Sequence, residues 1–272
     1  MKVASVQMNS GDDIAANVGK ACDFVARAAA EGAELVVLPE FFNTVFFAQH
    51  WDTAYNAFAE TDSGFTMTAI REAAISSKIA VVATIYEEVE IGLCYDTAMH
   101  VGADGEIHHK YRKVHPAGVK SLEKLYFRYG SRLDTYKFAD WQVGIGICYD
   151  MGFPETARCL AANGAELLIA PYATSRQNMF QEVLRTRSFE NGCYLIAANK
   201  VGQEHDWYFP GGSMISDPTG KLLASADTKS ETLLVADIDH QAVRDARVSY
   251  PNRRDRRPDL YGAIVRETDA VD

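Results

Sequence analysis

An α/β layered domain is the fold class this sequence predicts, and three observations predict it. Short, almost wholly apolar runs, such as residues 34–38 (ELVVL), have the composition of strands buried on both faces. Segments with apolar residues at helical spacing lie between those runs, so strand and helix patterns alternate along most of the 272 residues. Two pairs of strand-like segments flank compact turn signals, which adds hairpins to the alternation.

In chain order, residues 2–8 (KVASVQM) alternate as a strand does. Asp12 and Asp13 can cap the helix that follows. Its apolar face is Ile14, Val18, Ala21, Phe24, Val25 and Ala28, and Gly32 ends it. Residues 34–38 form the second strand. A helix over 65–77 precedes a strand over 79–84. Segments 95–101 and 107–111 flank Ala103-Asp104-Gly105, a hairpin turn signal. A strand over 142–147 leads to a helix over 154–163, with Pro154 suited to the first helical position. A strand over 167–170, a helix over 176–191 and a strand over 194–199 repeat the unit. Segments 212–216 and 222–226 flank Asp217-Pro218-Thr219-Gly220, and 232–238 is one more strand. The tail over 248–261 is arginine-rich with two prolines and is expected to be extended. It reads either as a solvated tail or as an arm that packs on a second subunit.

Composition narrows the function. The 27 basic and 37 acidic residues leave a net charge of −10, which argues against nucleic acid as a partner because phosphate binding needs a concentrated positive field. No apolar run is long enough to span a bilayer, and the N-terminal MKVASVQMNS is too short in apolar residues for a secretory signal. The five cysteines are odd in number and irregular in spacing, with no Cys-x-x-Cys pair. Reduced thiols in a cytoplasmic protein are therefore expected, not a disulfide framework or a zinc site.

Cys148 ends an apolar strand and precedes a helix that Pro154 can start. A nearby helix N-terminus would lower its thiol pKa. Cys22, Cys94, Cys159 and Cys193 lie within apolar helix or strand patterns and read as packed residues. A cysteine nucleophile needs a base. Of the seven histidines, His115 stays in play. Glu40 is the other candidate, since it follows the buried run ELVVL and Pro39 and ends its strand where Cys148 ends its own. In the basic run 109–116 (HKYRKVHP), an extended backbone puts Tyr111 and Lys113 on one face and Lys110 and Arg112 on the other. A buried Lys113 needs an acidic partner, and Glu40 would supply one.

Taken together, these segments resemble the nitrilase superfamily of carbon–nitrogen hydrolases. The ordered matches are VVLPE ending at Glu40, YRKVH with Lys113, LEKLYFRYG with Glu123 and GICYDMGFPE with Cys148. RTRSFENGCYLIAANKVG, GGSMISDPTG and the tail RRDRRPDLY extend the match over nearly the whole chain. The resemblance implies a four-layer α-β-β-α sandwich over residues 1–246. It also implies a C-terminal arm over 247–272 that crosses a homodimer interface. Cys148 would attack a carbonyl carbon, and Glu40 would move protons. Lys113 would stabilise the oxyanion together with a backbone N–H near Tyr149, and Glu123 would position Lys113 and substrate. No metal and no organic cofactor is implied.

The substrate branch is read from smaller differences. Tyr149-Asp150 follows the cysteine, the pattern of amidases and carbamoyl hydrolases rather than nitrile hydrolases, whose relatives carry Trp-Glu there. Met151 and Gly152 stand where carbamoyl-D-amino-acid hydrolases place arginines. Tyr149, Arg176 and Phe46 are the expected substrate-binding residues. Arg176 and Arg128 read either as acid-group binders or as structural ion pairs. The aromatic set Phe41, Phe42, Phe46, Phe47 and Trp51 reads either as a pocket lining or as core. Hydrolysis of a small linear amide leads, an N-carbamoyl substrate follows, and nitrile hydrolysis comes third. A catalytically silent binding protein and a Cys–His hydrolase using His115 are the readings from other classes.

Overall fold

The structure is a computed structural model that describes residues 1–176 and 179–266. Its first half contains β1 (Lys2–Gln7), α1 (Ile14–Ala30), β2 (Leu35–Val37), α2 (Phe65–Ser77), β3 (Ala80–Glu90), β4 (Leu93–Val101), β5 (Ile107–Arg112) and the short α3 (Glu123–Tyr126). The second half contains β6 (Thr135–Phe138), β7 (Trp141–Ile145), α4 (Pro154–Ala162), β8 (Leu167–Pro171), α5 (Phe180–Asn191) and β9 (Tyr194–Ala198). It continues with β10 (Val201–Glu204), β11 (Trp207–Pro210), β12 (Met214–Ser216), β13 (Leu222–Ser225), β14 (Thr232–Asp237), α6 (His240–Ser249) and α7 (Asn252–Asp255).

Two six-stranded sheets result, in the orders β14-β1-β2-β3-β4-β5 and β13-β12-β9-β8-β7-β6. The centre of each is parallel: β1, β2 and β3 in the first, β7, β8 and β9 in the second. The outer pairs are antiparallel. Strand alternation then decides the layers. Val3, Leu35, Val37, Ala80 and Val82 face the second sheet and share a core with Val143, Ile145, Ile169, Leu195 and Met214. Ala4, Val6, Val36, Val81 and Ala83 face the other way and pack on Phe24, Val25 and Ala28 of α1 and on Met67 and Ile70 of α2. Ala157, Leu160 and Leu184 bring α4 and α5 onto the second sheet. The order is helix, sheet, sheet, helix, and the strands that read as wholly apolar are the ones covered on both faces.

Local signals worked where a side chain had one task. Asp13 caps α1 by accepting the Ala16 amide at 3.1 Å. Gly32 takes φ 81° just beyond the helix, where a side chain would be strained.

Three expectations need correction. The tail is not extended: α6 runs to Ser249 through the expected boundary at 246, α7 follows, and two 3₁₀ turns cover Pro258–Leu260 and Gly262–Val265. Asp239 caps α6 through the Ala242 amide and Val243 is buried, while Pro251 and Pro258 start turns rather than stretch the chain. The helix expected from 176 begins at Phe180, after Met179 in a left-handed conformation; residues 177 and 178 of that expectation lie outside the described residues. Cys159 is exposed, because α4 buries Thr156, Ala157, Leu160 and Ala161 and turns Cys159 outward. Among the described residues no helix is long and apolar enough to cross a membrane.

Gly130 is the fold's tightest dependence near the end of β5. Its amide donates to the Lys113 carbonyl at 2.7 Å, and a Cβ there would lie 2.0 Å from the Arg112 carbonyl oxygen. Backbone on backbone cannot give way cheaply. Gly130→Ala is expected to cost about 1–3 kcal/mol or more in denaturant unfolding. It should also cut turnover, because the strand end carrying Lys113 must shift. Wild-type stability and activity in that variant would contradict this packing.

Candidate active site

Glu40 sits just past β2, where the chain kinks. The Glu40 amide donates to the Tyr172 carbonyl of the second sheet at 3.2 Å, and Phe41 takes φ 50°. The side chain is held fully buried. Lys113 is the first residue beyond β5, and its amide donates to the Asp96 carbonyl at 2.9 Å. The expected two-faced run is present. Tyr111 and Lys113 are buried, whereas Lys110 and Arg112 point to the other face and bind Glu87 at 2.7 and 3.0 Å. Glu123 opens α3, and its Oε2 accepts the Ala117 amide at 2.8 Å.

These elements converge on one ammonium. Lys113 Nζ donates to Glu40 Oε1 and to Glu123 Oε2, each at 2.6 Å, and lies 3.2 Å from Asp96 Oδ2. Sequence reasoning brought Glu40 and Glu123 to Lys113 but missed Asp96. Its signal was an aspartate inside the strand pattern LCYDTAMHV, with no special local motif. Burial alone would lower the Lys113 pKa, but Glu123, Glu40 and Asp96 outweigh it and hold the ammonium well above its ordinary value. Burial and the neighbouring Glu40 and Glu123 charges push Asp96 well above the carboxylate range against the pull of Lys113. Burial and Glu40 raise Glu123 in the same way, with Lys113 opposing. Glu40, Asp96 and Glu123 are also the one grouping of metal-ligand type among the described residues. The cation they surround is the chain's own lysine.

Cys148 comes from the second sheet. It begins a short 3₁₀ turn, Cys148–Gly152, between β7 and α4, and takes φ 47°, a conformation that costs a non-glycine residue energy. Asp150 fixes the turn. Its Oδ2 accepts the Ile147 amide at 3.0 Å and the Tyr111 hydroxyl at 2.8 Å. Its Oδ1 accepts the His115 amide at 2.9 Å and lies 2.7 Å from His115 Nδ1. Tyr111 and His115 flank Lys113 in sequence, so Asp150 ties the lysine segment to the cysteine turn. His115, stacked on Phe153 at 4.1 Å, is engaged there and does not line the cavity beside Cys148.

The thiol is not the lowered one expected from a helix terminus. Burial and the Glu40 charge push Cys148 well above the ordinary thiol range, Glu123 adds to this, and Lys113 and a hydrogen bond from the Ala173 backbone only partly oppose it. The first full helix begins at Pro154, six residues later, and a terminus acts only within its own turn. The resting Cys148 is therefore a neutral thiol.

A cavity of about 230 Å³ adjoins Cys148, lined also by Tyr149, Gly152, Tyr172, Thr174, Arg176, Met179, Phe180 and Val183. Tyr149 and Arg176 thus line the cavity that Cys148 adjoins. Among the described residues no carboxylate comes within ion-pair distance of Arg176, so the structural ion-pair reading has no partner there. Phe46 is a correction: it is buried away from the cavity, stacked on Trp207 at 4.9 Å and packed with Phe41 and Phe209. Its amide donates to Glu204 Oε2, whose other contacts are with buried Lys200, so the loop is fixed as core. Phe41, Phe42 and Phe47 are core as well, whereas Trp51 is exposed. Arg128 lines a separate cleft with Tyr95, Arg112 and Tyr129.

Comparison with known proteins gives the family and the fold. The carbon–nitrogen hydrolase family model matches residues 2–248. The chain is 32% identical to a citrullinase of Francisella tularensis subsp. tularensis, over 98% of this chain and 99% of that protein. A solved carbon–nitrogen hydrolase from Helicobacter pylori G27 superposes with a TM-score of 0.93 at 26% identity, over 98% of each chain. An amidase from Nesterenkonia sp. AN1, solved with the acetamide moiety of fluoroacetamide covalently added at its active-site cysteine, gives a TM-score of 0.84 at 27% identity, over 97% of this chain and 96% of that one. The chain belongs to the carbon–nitrogen hydrolase family, and its fold is that of the nitrilase superfamily.

A neutral Cys148 has a measurable consequence. A group with a raised pKa stays protonated to higher pH, so its thiolate fraction grows throughout the neutral range. The rate of alkylation of Cys148 by iodoacetamide is expected to rise with pH past the ordinary thiol pKa of about 8.5 without a plateau. A plateau below that value, followed by peptide mapping of the modified cysteine, would contradict the raised thiol.

Proposed function

We propose that this carbon–nitrogen hydrolase cleaves a small linear amide to the acid and ammonia through a thioester on Cys148. The observation that carries the reading is a neutral, strained thiol beside a cluster that supplies both a carboxylate and a fixed cation. Glu40 takes the thiol proton as Sγ attacks the carbonyl carbon. The carbonyl oxygen gains negative charge, which the Lys113 ammonium and a backbone N–H at Tyr149 stabilise. Collapse breaks the C–N bond, and the leaving nitrogen takes the proton from Glu40. A water then gives a proton to Glu40 and attacks the thioester, which releases the acid and returns the thiol. Glu123 holds Lys113 in place. No step calls on a cofactor.

Tyr149 and Arg176 are the substrate-binding residues in this reading. Arg176 also borders a neighbouring cleft with Gln181, Tyr208 and Gly212, which supports an acid group at the far end of the substrate. A second reading, hydrolysis of an N-carbamoyl compound, draws support from the likeness to a citrullinase, since citrulline carries a ureido group. Self-association through the C-terminal segment draws support from exposed Leu260, Ile264 and Val265 and from the apolar groove that Ile264 and Val265 line with Cys159 and Tyr261. A small-molecule substrate in a cytoplasmic setting fits the free cysteines.

Products separate the readings. Wild type and Cys148→Ala would be incubated with a panel of acid-bearing amides and ureido compounds, and ammonia, carbon dioxide and acid would be measured. Ammonia and acid in equal amounts, with no carbon dioxide and nothing from the variant, is the expected result. Carbon dioxide equal to ammonia would favour the carbamoyl reading. Equal product from wild type and variant would contradict both.

A further inference from the structure

Three buried carboxylates face one ammonium, and their hydrogen bonds do not close. Glu40 presents Oε1 to Lys113, but its Oε2 is buried with no donor. Neither buried oxygen of Asp96 accepts an aligned hydrogen bond, although the Lys113 ammonium lies 3.2 Å from Oδ2. Yet the Asp96 and Glu40 carboxyl groups face each other across the cluster, with oxygens within 4.8 Å. Two ionised carboxylates that close repel, and each would lose its solvation without gaining a bond. The groups facing Asp96 are Glu40 beyond β2, Lys113 beyond β5 and Glu123 on α3, with the Cys148 thiol near the same cluster. With all three acids ionised, Lys113 would balance only one of them. A single proton between Asp96 and Glu40 removes one uncompensated charge and turns a repulsion into a charge-assisted bond.

We propose that Asp96 is a further positioning residue of the reaction, a neutral carboxylic acid that donates its proton to Oε2 of Glu40 and aims that carboxylate. The inference rests, for its catalytic part, on the function proposed above. Asp96 is well placed for the task because β4 fixes it: it pairs with Tyr86 of β3, and its carbonyl accepts the Lys113 amide. A carboxylate oxygen has two lone pairs, so the bond from Asp96 leaves Oε2 able to take the thiol proton. Asp96 does not line the cavity beside Cys148. It acts through Glu40, and the direction of its own pKa, well above the carboxylate range, agrees with a neutral acid. At sufficiently high pH Asp96 loses its proton. A third negative charge then stands beside Lys113, with Glu40 and Glu123, and opposes the oxyanion, so Asp96 contributes to an alkaline loss of activity.

Infrared difference spectra of wild type minus Asp96→Asn, in water and in heavy water at neutral pH, test the protonation without any substrate. The expected result is a carboxylic-acid C=O stretch, shifted by deuterium, that is present in wild type and absent from the variant. No such band at neutral pH overturns the proposal. Should Asp96→Asn fail to fold, a pH titration of the wild-type band decides alone: a band that is lost only on the alkaline side supports Asp96, and no acid band at neutral pH overturns it. With a substrate in hand, the alkaline limb of kcat/KM is expected to move to higher pH in Asp96→Asn. Asp96→Ala should lower kcat roughly tenfold or more with little change in KM, the loss of one hydrogen bond to a charged group. Superimposable pH profiles would overturn the positioning role. If no compound is turned over, the function proposed above fails while the infrared result still decides Asp96.

Discussion

The ammonium of Lys113 is the point on which the rest of the site depends. It is buried, and burying a charge is costly unless partners surround it. Glu40, Glu123 and Asp96 surround it, and each is carried by a different element. Removing the lysine would leave three buried acidic groups without a cation. The cluster therefore fixes the end of β5, the kink after β2 and the start of α3 together, although none of these has strong local reasons to meet the others.

The second constraint is that Cys148 comes from the other sheet. Face-to-face packing of the two apolar strand layers brings the strand ends together, and two polar links set the detail. The Glu40 amide reaches the Tyr172 carbonyl, and Asp150 binds Tyr111 and His115 while holding the Ile147 amide. Left-handed backbone at both Phe41 and Cys148 shows where the scaffold forces the chain. The same burial that organises the cluster raises the Cys148 thiol, so it rests in the neutral form.

Much of this was legible in the sequence, for reasons that are local. A charged Glu40 ending an apolar strand, a cysteine ending another, and the strict alternation of residues 110–113 each state a physical conflict that only a shared buried site resolves. Asp96 was missed because a single aspartate in an alternating strand carries no such conflict until the long-range partners are known. Phe46 was misplaced because an aromatic beside a catalytic candidate has the same composition in core and in pocket, and only its packing on Trp207 decides. The thiol direction went wrong because a helix dipole was weighed without the desolvation and the Glu40 charge that oppose it. The tail was read from its prolines as extended, whereas they begin turns and the preceding segment has the cap and buried valine of a helix.

The central claim is that Cys148 forms a covalent acyl intermediate beside the Lys113 cluster. Its most direct test is intact-protein mass spectrometry of wild type quenched during turnover of an amide, with peptide mapping and a Cys148→Ala control. The account predicts a mass increase equal to the substrate's acyl group, mapped to Cys148 and absent from the variant. Turnover with no acyl adduct on any cysteine, retained in Cys148→Ala, would contradict it.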